Sequence, residues 1–519
     1  MKRVPAETEF LVIGAGVAGL RAAIELAEAG PVVVLAKREA GEAAIAAHRP
    51  LLSDEDEISL HLQDTLSAGD GLCNVEAVKM LLEEAPERIE ELISWAALQP
   101  PQKSKLLFTR EGAGGRNRVL HATDETVGRA MLHALHAKAR SLKNISFYEF
   151  EFVTELRVED GQVCGVSLID EKGLPEEITA SAVLLASGGL GQIYRNTTNP
   201  TSSTADGVAL AFSAGAEVSD MEFIQFHPTT LYLKKAPPFL LSEALLEGGA
   251  YLRNLEMTHF MPKYHPMAEL APHDVVARAI MHEMEVMNTK DPVVYLDLTR
   301  LKGDHLRKRF PRIHSTCMEY NIDLTTDLVP VRPAAHYAIG GVRTDLEGRT
   351  SLPRLYAAGE TAMTGLHGAN RLSGNSFLEA LVFGARAGES MRQEIKRPPM
   401  KSPRPRNAAT SNGPVDAGLE DVVAEIQDVM WKDVGIVRIG SKLKSGIQHL
   451  EKLSTRLPHP RTRRAHEARH LHLIALLVAR SALAREESRG AHYRMDFPIH
   501  NDARFLKHSV ARGERISFA

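Results

Sequence analysis

The first apolar run, Phe10-Leu-Val-Ile13, has no polar interruption, which predicts a strand buried on both faces, as in a parallel sheet. Gly14-Ala15-Gly16-Val17-Ala18-Gly19 follows at once, and apolar residues then recur at helical spacing at Val17, Leu20, Ile24 and Ala27. A second run, Pro31-Val-Val-Val-Leu35, completes a β-α-β unit. Asn74–Ala97 predicts a helix kinked near Pro86, and Asp124–Leu142 another. Ser146–Arg157, Gln162–Leu168 and Ala182–Ala186 predict an antiparallel meander returning to a core strand. Asp206-Gly207 opens an apolar helix through Ala214.

From about Tyr232 to Val329 the pattern changes to Met, His and Pro with short amphipathic helices at Ser242–Leu246 and Asp274–Met287. Strand-like sequence returns at Val331–Gly341 and Leu355–Glu360. Arg397–Gly418 is rich in Pro, Ser, Asn and Ala and reads as a linker. Leu419–Leu453 and Arg461–Glu487 are helical patterns, followed by an extended polar tail, Ser488–Pro498. The expected architecture is α/β. A Rossmann-like nucleotide-binding domain (1–230 and 331–396) carries an inserted α+β capping domain (231–330). A linker (397–418) leads to a C-terminal helical domain (419–519).

The chain has 519 residues, too many for one simple core, and its 44% hydrophobic and 25% charged content is that of a globular protein. A net charge of −4 gives no argument for nucleic acid or an anionic membrane, and basic clusters such as Arg461–Arg464 read as solvated helix faces. Cys73, Cys164 and Cys317 lie far apart, which suggests no disulfide framework and fits a reducing cytoplasm. No signal peptide is apparent, and no window approaches the roughly 20 apolar residues of a membrane span.

A bare G-x-G-x-x-G says little, but between a strand and a helix it predicts a pyrophosphate site at Gly14–Gly19. The acidic residue that usually ends the second strand is absent; Leu35-Ala36-Lys37 stands there, which argues against a plain NAD site. In Thr364–Glu379, Arg371 lies between Gly368 and Gly374, just before the helix start at Asn375 and Ser376. Backbone N–H groups at a helix start favour an anionic ligand, and an arginine fork suits a carboxylate. An inserted domain over a nucleotide domain creates a cleft. Candidates to line it are His227, Ser242, Glu243, His273, Arg278, His336 and Arg371. The histidines lack metal-ligand spacing, and no Gly-x-Ser-x-Gly elbow or Cys–His signature is present. His and Arg without carboxylate pairs suit a small dianionic substrate, with a flavin supplying the redox chemistry.

These motifs resemble the flavoprotein subunit family of succinate dehydrogenase and fumarate reductase, and within it the soluble, aspartate-oxidising members. The likeness runs through Asp220-Met-Glu-Phe-Ile-Gln-Phe-His-Pro-Thr229, Pro333-Ala-Ala-His-Tyr-Ala-Ile-Gly-Gly341, Gly365-Leu-His-Gly-Ala-Asn-Arg371 and Glu487-Ser-Arg-Gly-Ala-His492. The resemblance implies a non-covalent FAD, with Lys37, Asp206 and Glu360 around its hydroxyls and phosphates and Asn375, Ser376 and Phe377 at the flavin ring. It implies that His227, His336 and Arg371 hold substrate carboxylates, that Ser242 adds a hydrogen bond, and that Glu111 orients the substrate amine. The implied reaction is hydride transfer from Cα of L-aspartate to flavin N5, giving iminosuccinate. Oxygen or fumarate is the electron acceptor, and quinolinate synthase uses the product in making NAD.

Four stretches depart from the family. The acid/base arginine of P-R-D-V-V-A-R is His273, in Pro272-His-Asp-Val-Val-Ala-Arg278. S-x-x-x-A-Q-G-G is replaced by Gly41–Pro50, with Ala47-His-Arg-Pro50 where a glycine pair is expected. A-L-R-G-E-G-A becomes Ala244-Leu-Leu-Glu-Gly-Gly-Ala250, and R-E-G-G-H-S becomes Arg110-Glu-Gly-Ala-Gly-Gly115. Besides an aspartate-oxidising enzyme, the sequence therefore leaves open a degenerate homologue serving as a binding or regulatory protein, and a succinate or fumarate oxidoreductase.

Overall fold

The computed structural model describes residues 3–40, 49–50, 58–97, 107–110, 117–121, 127–233, 236, 238–287, 292–394 and 418–519. The first β-α-β unit forms as expected: strand Glu7–Ile13, helix Val17–Leu26, strand Val32–Ala36. The central sheet has seven strands. Ile145–Glu149, Val32–Ala36, Glu7–Ile13 and Pro175–Leu185 run parallel, Leu355–Ala357 pairs parallel with Pro175–Leu185, and Gln162–Ile169 and Phe152–Glu159 add antiparallel beyond it.

Helices Val17–Leu26, Val75–Ala97, Val127–Ser141 and Asn375–Glu394 cover one face of this sheet. The other face packs on Asp206–Ser213 and on the C-terminal helices through Val208, Ile426 and Ile474. Burial on both sides is why these strands read as unbroken apolar runs. The expected strand Ser146–Arg157 is two strands. Phe150, at φ +65°, interrupts it, so Ile145–Glu149 joins the parallel edge and Phe152–Glu159 begins the meander. The helix at Val75–Ala97 starts on Asn74, whose Oδ1 accepts the N–H groups of Glu76 and Ala77 at 3.1 and 3.3 Å.

The cap has its own sheet, ordered Phe239–Leu240, Ile224–Leu231, Val329–Ala338, Val294–Asp297, Tyr251–Arg253, and its own core around Leu252, Phe260, Ile280 and Leu296. Ile224–Leu231 and Val329–Ala338 run through both expected domain boundaries, so the two long strands that enter and leave the cap carry His227 and His336.

The C-terminal region is helical at Leu419–Asp433, Gly440–Leu453 and Arg463–Ala484, but not to its end. Ser509–Arg512 and Arg515–Phe518 form a hairpin whose first strand pairs with Val218–Ser219, so the expected all-helical domain is corrected to helices plus a sheet shared with the first domain. Alternation over four residues is too short a signal to separate from a polar tail. The polar tail from Ser488 packs into the fold through its charged side chains. Arg489, His492 and Arg494 are buried, and Arg485 is held by Glu222 and Glu487 at 2.7 and 2.9 Å. The linker, apart from Gly418, lies outside the described residues.

Candidate active site

The three glycines of the first turn do different work. At Gly14, φ is +115° and a Cβ would lie 2.1 Å from the carbonyl oxygen of Ala186; at Gly19 it would lie 2.0 Å from that of Gly14. These two permit the tight turn and the packing of helix on sheet. Gly16 has an ordinary φ of −81° and open space where a Cβ would go. No side chain caps the helix that begins at Val17. An open cradle in front of a helix start is what a pyrophosphate needs. Gly16→Val is therefore expected to weaken FAD binding at least about tenfold with little loss of thermal stability, whereas Gly14→Ala is expected to destabilise the fold. Flavin fluorescence titration and a thermal melt separate the two.

At the end of the second strand, Lys37 Nζ lies 2.5 Å from Asp206 Oδ2 and 2.6 Å from Thr204 Oγ1. This salt bridge holds the Asp206 carboxyl far below the usual carboxylate range against the cost of burial. Ala205, just before it, is forced to φ +65°. Glu360 accepts the N–H of Ala338 at 3.0 Å, and burial pushes its pKa up to about 7. A Cβ at Gly189 would lie 2.3 Å from the Glu360 carboxylate, so a larger residue there would push that side chain aside. The Asn375 side chain is taken by His61 at 2.8 Å and Thr65 at 3.0 Å, so it fastens two helices and leaves the backbone of Asn375, Ser376 and Phe377 as the helix start.

On the substrate side, four expected residues converge. Strand pairing sets His227 opposite Ala334, beside His336, and the two imidazole centroids are 5.3 Å apart. The cap helix His273–Val286 starts with His273, whose ring is 5.2 Å from His227. Thr229 donates its N–H to His227 Nδ1 at 3.2 Å, and Thr198 Oγ1 lies 2.7 Å from His336 Nδ1. Arg371 lies 5% exposed behind this group. Its Nε donates to Gln225 Oε1 at 2.9 Å, one terminal nitrogen donates to Ser376 Oγ at 3.2 Å, and its guanidinium lies 4.9 Å from the Tyr337 ring centroid. Ser242 Oγ accepts the N–H of Ala244 at 3.3 Å, just before the short helix Ala244–Glu247. Glu111 lies outside the described residues, as do Gly41–His48 of the altered loop.

A cleft of 740 Å³ opens onto Arg371, Glu243 and His273. Its far wall is the C-terminal tail at Arg489 and His492, which a linear pattern gives no reason to place there. Glu243 is paired with His273 Nε2, and both are largely buried. Burial pushes Glu243 up to about 7, while burial and the charge of Arg371 push His273 down to about 3. Near neutrality the Glu243 carboxyl is poised between its two protonation states, while the His273 imidazole is neutral. Two imidazoles and a carboxylate, His227, Glu243 and His273, bring ligand-capable atoms within 4.8 Å, the one such group among the described residues. The Arg371 charge acts on Glu243 and His273, opposing a dication there, so the cluster is suited to anions and protons.

Sequence reasoning missed the frame behind Arg371. Gln225 also donates to the backbone oxygen of Arg371 at 2.8 Å, and Tyr337 donates to Glu379 at 2.8 Å. Thr364 and His367 meet the same carboxylate at 2.6 and 3.0 Å. Gln225 and Tyr337 each stand beside a candidate histidine in sequence, and that proximity was the only local signal.

An FAD binding domain family model matches residues 9–377, and a fumarate reductase flavoprotein C-terminal model matches residues 423–518. The chain is 40% identical to L-aspartate oxidase 2-b, chloroplastic, of Nicotiana tabacum, over 94% of this chain and 81% of that one. It is 37% identical to L-aspartate oxidase of Pseudomonas aeruginosa, over 94% and 95%. Among solved structures it resembles a quinol-fumarate reductase with menaquinol molecules at a TM-score of 0.87 and 30% identity, over 99% and 98% of the two chains.

Proposed function

The chain belongs to the L-aspartate oxidase family of FAD-binding flavoproteins, and from that premise we propose how its own residues carry out the oxidation of L-aspartate to iminosuccinate. The protein is an FAD-dependent oxidoreductase. FAD, when bound, supplies the hydride acceptor. Gly14–Gly19 and Lys37 hold its pyrophosphate and ribose end, with Asp206 and Glu360 beside them.

The convergence of His227, His336 and Arg371 carries the substrate assignment. Arg371 offers a planar fork to one carboxylate of a dicarboxylic acid, and the two histidines bind the other end. Gln225 and Tyr337 hold the fork in register, so little motion is needed on binding. Glu243 and His273 take up the proton that leaves the substrate amine as Cα loses its hydride. The Glu243 carboxylate receives it, and a neutral His273 imidazole stands beside it where the family has arginine. Ser242 is assigned its hydrogen bond to the substrate, and Glu111 its amine-orienting role, by resemblance.

The purified protein is expected to be yellow, and anaerobic L-aspartate is expected to bleach it. A colourless protein would remove the oxidase reading. Flavin bleached by succinate and not by aspartate would redirect it to succinate or fumarate chemistry, and flavin bleached by neither would favour a binding or regulatory role. Oxygen or fumarate is the proposed acceptor. Because an imine hydrolyses readily in water, we infer a downstream consumer such as quinolinate synthase in NAD formation. A cytoplasmic setting is supported by the three cysteines, all free thiols, and no described helix is long and apolar enough to cross a membrane.

A further inference from the structure

Dinucleotide sites of this type usually end the second strand with a carboxylate that accepts hydrogen bonds from ribose hydroxyls. Here the strand ends at Ala36 and the next residue is Lys37. Two carboxylates reach that position from elsewhere. Asp206 comes from the start of Asp206–Ser213, and its Oδ2 is 2.5 Å from Lys37 Nζ. Glu467 comes from Arg463–Ala484, a helix of the C-terminal region more than 400 residues away in sequence, and its Oε1 is 3.4 Å from the same nitrogen. The same helix makes two further links: His470 Nδ1 lies 2.9 Å from Asp206 Oδ1, and Arg463 donates to the backbone oxygen of Lys37 at 2.6 Å. The rings of His466 and His470 lie 5.9 and 6.0 Å from Phe152, which also sits under the Lys37 ammonium.

We propose that the helix Arg463–Ala484 completes the adenosine half of the flavin site, with Glu467 and His470 as the residues that position Lys37 and Asp206 for the ribose hydroxyls. The acid missing from the strand is thus supplied by two other elements, one of them in the C-terminal region. This rests on the FAD reading above and deepens it. It follows that flavin affinity depends on a docked C-terminal region, and that the dependence belongs to the adenosine end alone.

The test uses the full-length protein stripped of flavin and titrated with FAD, ADP and FMN by fluorescence quenching and calorimetry. Glu467→Gln and His470→Ala are each expected to raise the dissociation constants for FAD and ADP at least about tenfold, the low side of one lost hydrogen bond to a charged group. His470→Asn, which keeps a donor, is expected to recover most of that loss, and the weak binding of FMN, which lacks adenosine, should not change. A drop in melting temperature with unchanged FAD and ADP affinity would overturn the proposal, as would an equal loss for FMN. Wild-type protein that binds no FAD would instead overturn the flavin reading on which it rests.

Discussion

Arg371→Met is expected to lower kcat/KM for L-aspartate on the order of 10²- to 10³-fold, mostly through KM, while leaving the flavin spectrum intact. The guanidinium is 5% exposed and already oriented by Gln225, Ser376 and the Tyr337 ring, so its remaining donors meet the substrate in a poorly hydrated place. Removing one partner of a buried charged hydrogen-bond pair costs about 2–5 kcal/mol, and each 1.4 kcal/mol is about tenfold. Arg371→Lys keeps charge but not the fork and should fall between wild type and Met. Steady-state kinetics with aspartate and a monocarboxylate such as alanine check the assignment. If the variant loses activity equally toward both, Arg371 does not bind the side-chain carboxylate.

His273→Ala should slow turnover at least about tenfold, the low side of acid/base contributions, with KM changing less. The pH profile gives the sharper result. Glu243 has its pKa raised to about 7 by burial, and His273 has its pKa lowered to about 3, so the imidazole is neutral throughout the working range. Below pH 7 the pair carries a proton on Glu243; above it the carboxylate is free to receive one. Aspartate oxidation needs the receptive form, so kcat should rise with pH through about 7. Fumarate reduction needs the protonated form and should fall over the same range. Glu243→Gln should abolish both limbs. A pH profile unchanged in that variant would exclude the pair from proton transfer, and an unchanged rate in His273→Ala would exclude His273.

The flavin turn was legible because its information is local. Gly14, Gly16 and Gly19 fall within six residues between a strand and a helix, and that spacing suffices to announce the turn, although the close approach at Gly14 is to Ala186. Arg371 was legible for the same reason, lying against a helix start. Glu243 was visible only as one of several polar residues in a cap, since nothing in its neighbourhood says that it meets His273, 30 residues on. The tail at Ser488–Pro498 read as an extended polar segment, and what the sequence did not show is its burial, which partners such as Glu487 make tolerable.

By itself, then, the sequence determined the β-α-β unit and the nucleotide turn, which depend on contacts near in the chain, and it marked His227, His336 and Arg371 as candidates. Tertiary structure decided which face of the cap meets Arg371, that Glu243 pairs with His273, and that the C-terminal helix reaches Lys37. Those outcomes depend on charges brought together from positions up to 430 residues apart, as Lys37 and Glu467 are. Buried charge is stable only when its partner arrives, and no local pattern records where the partner will come from.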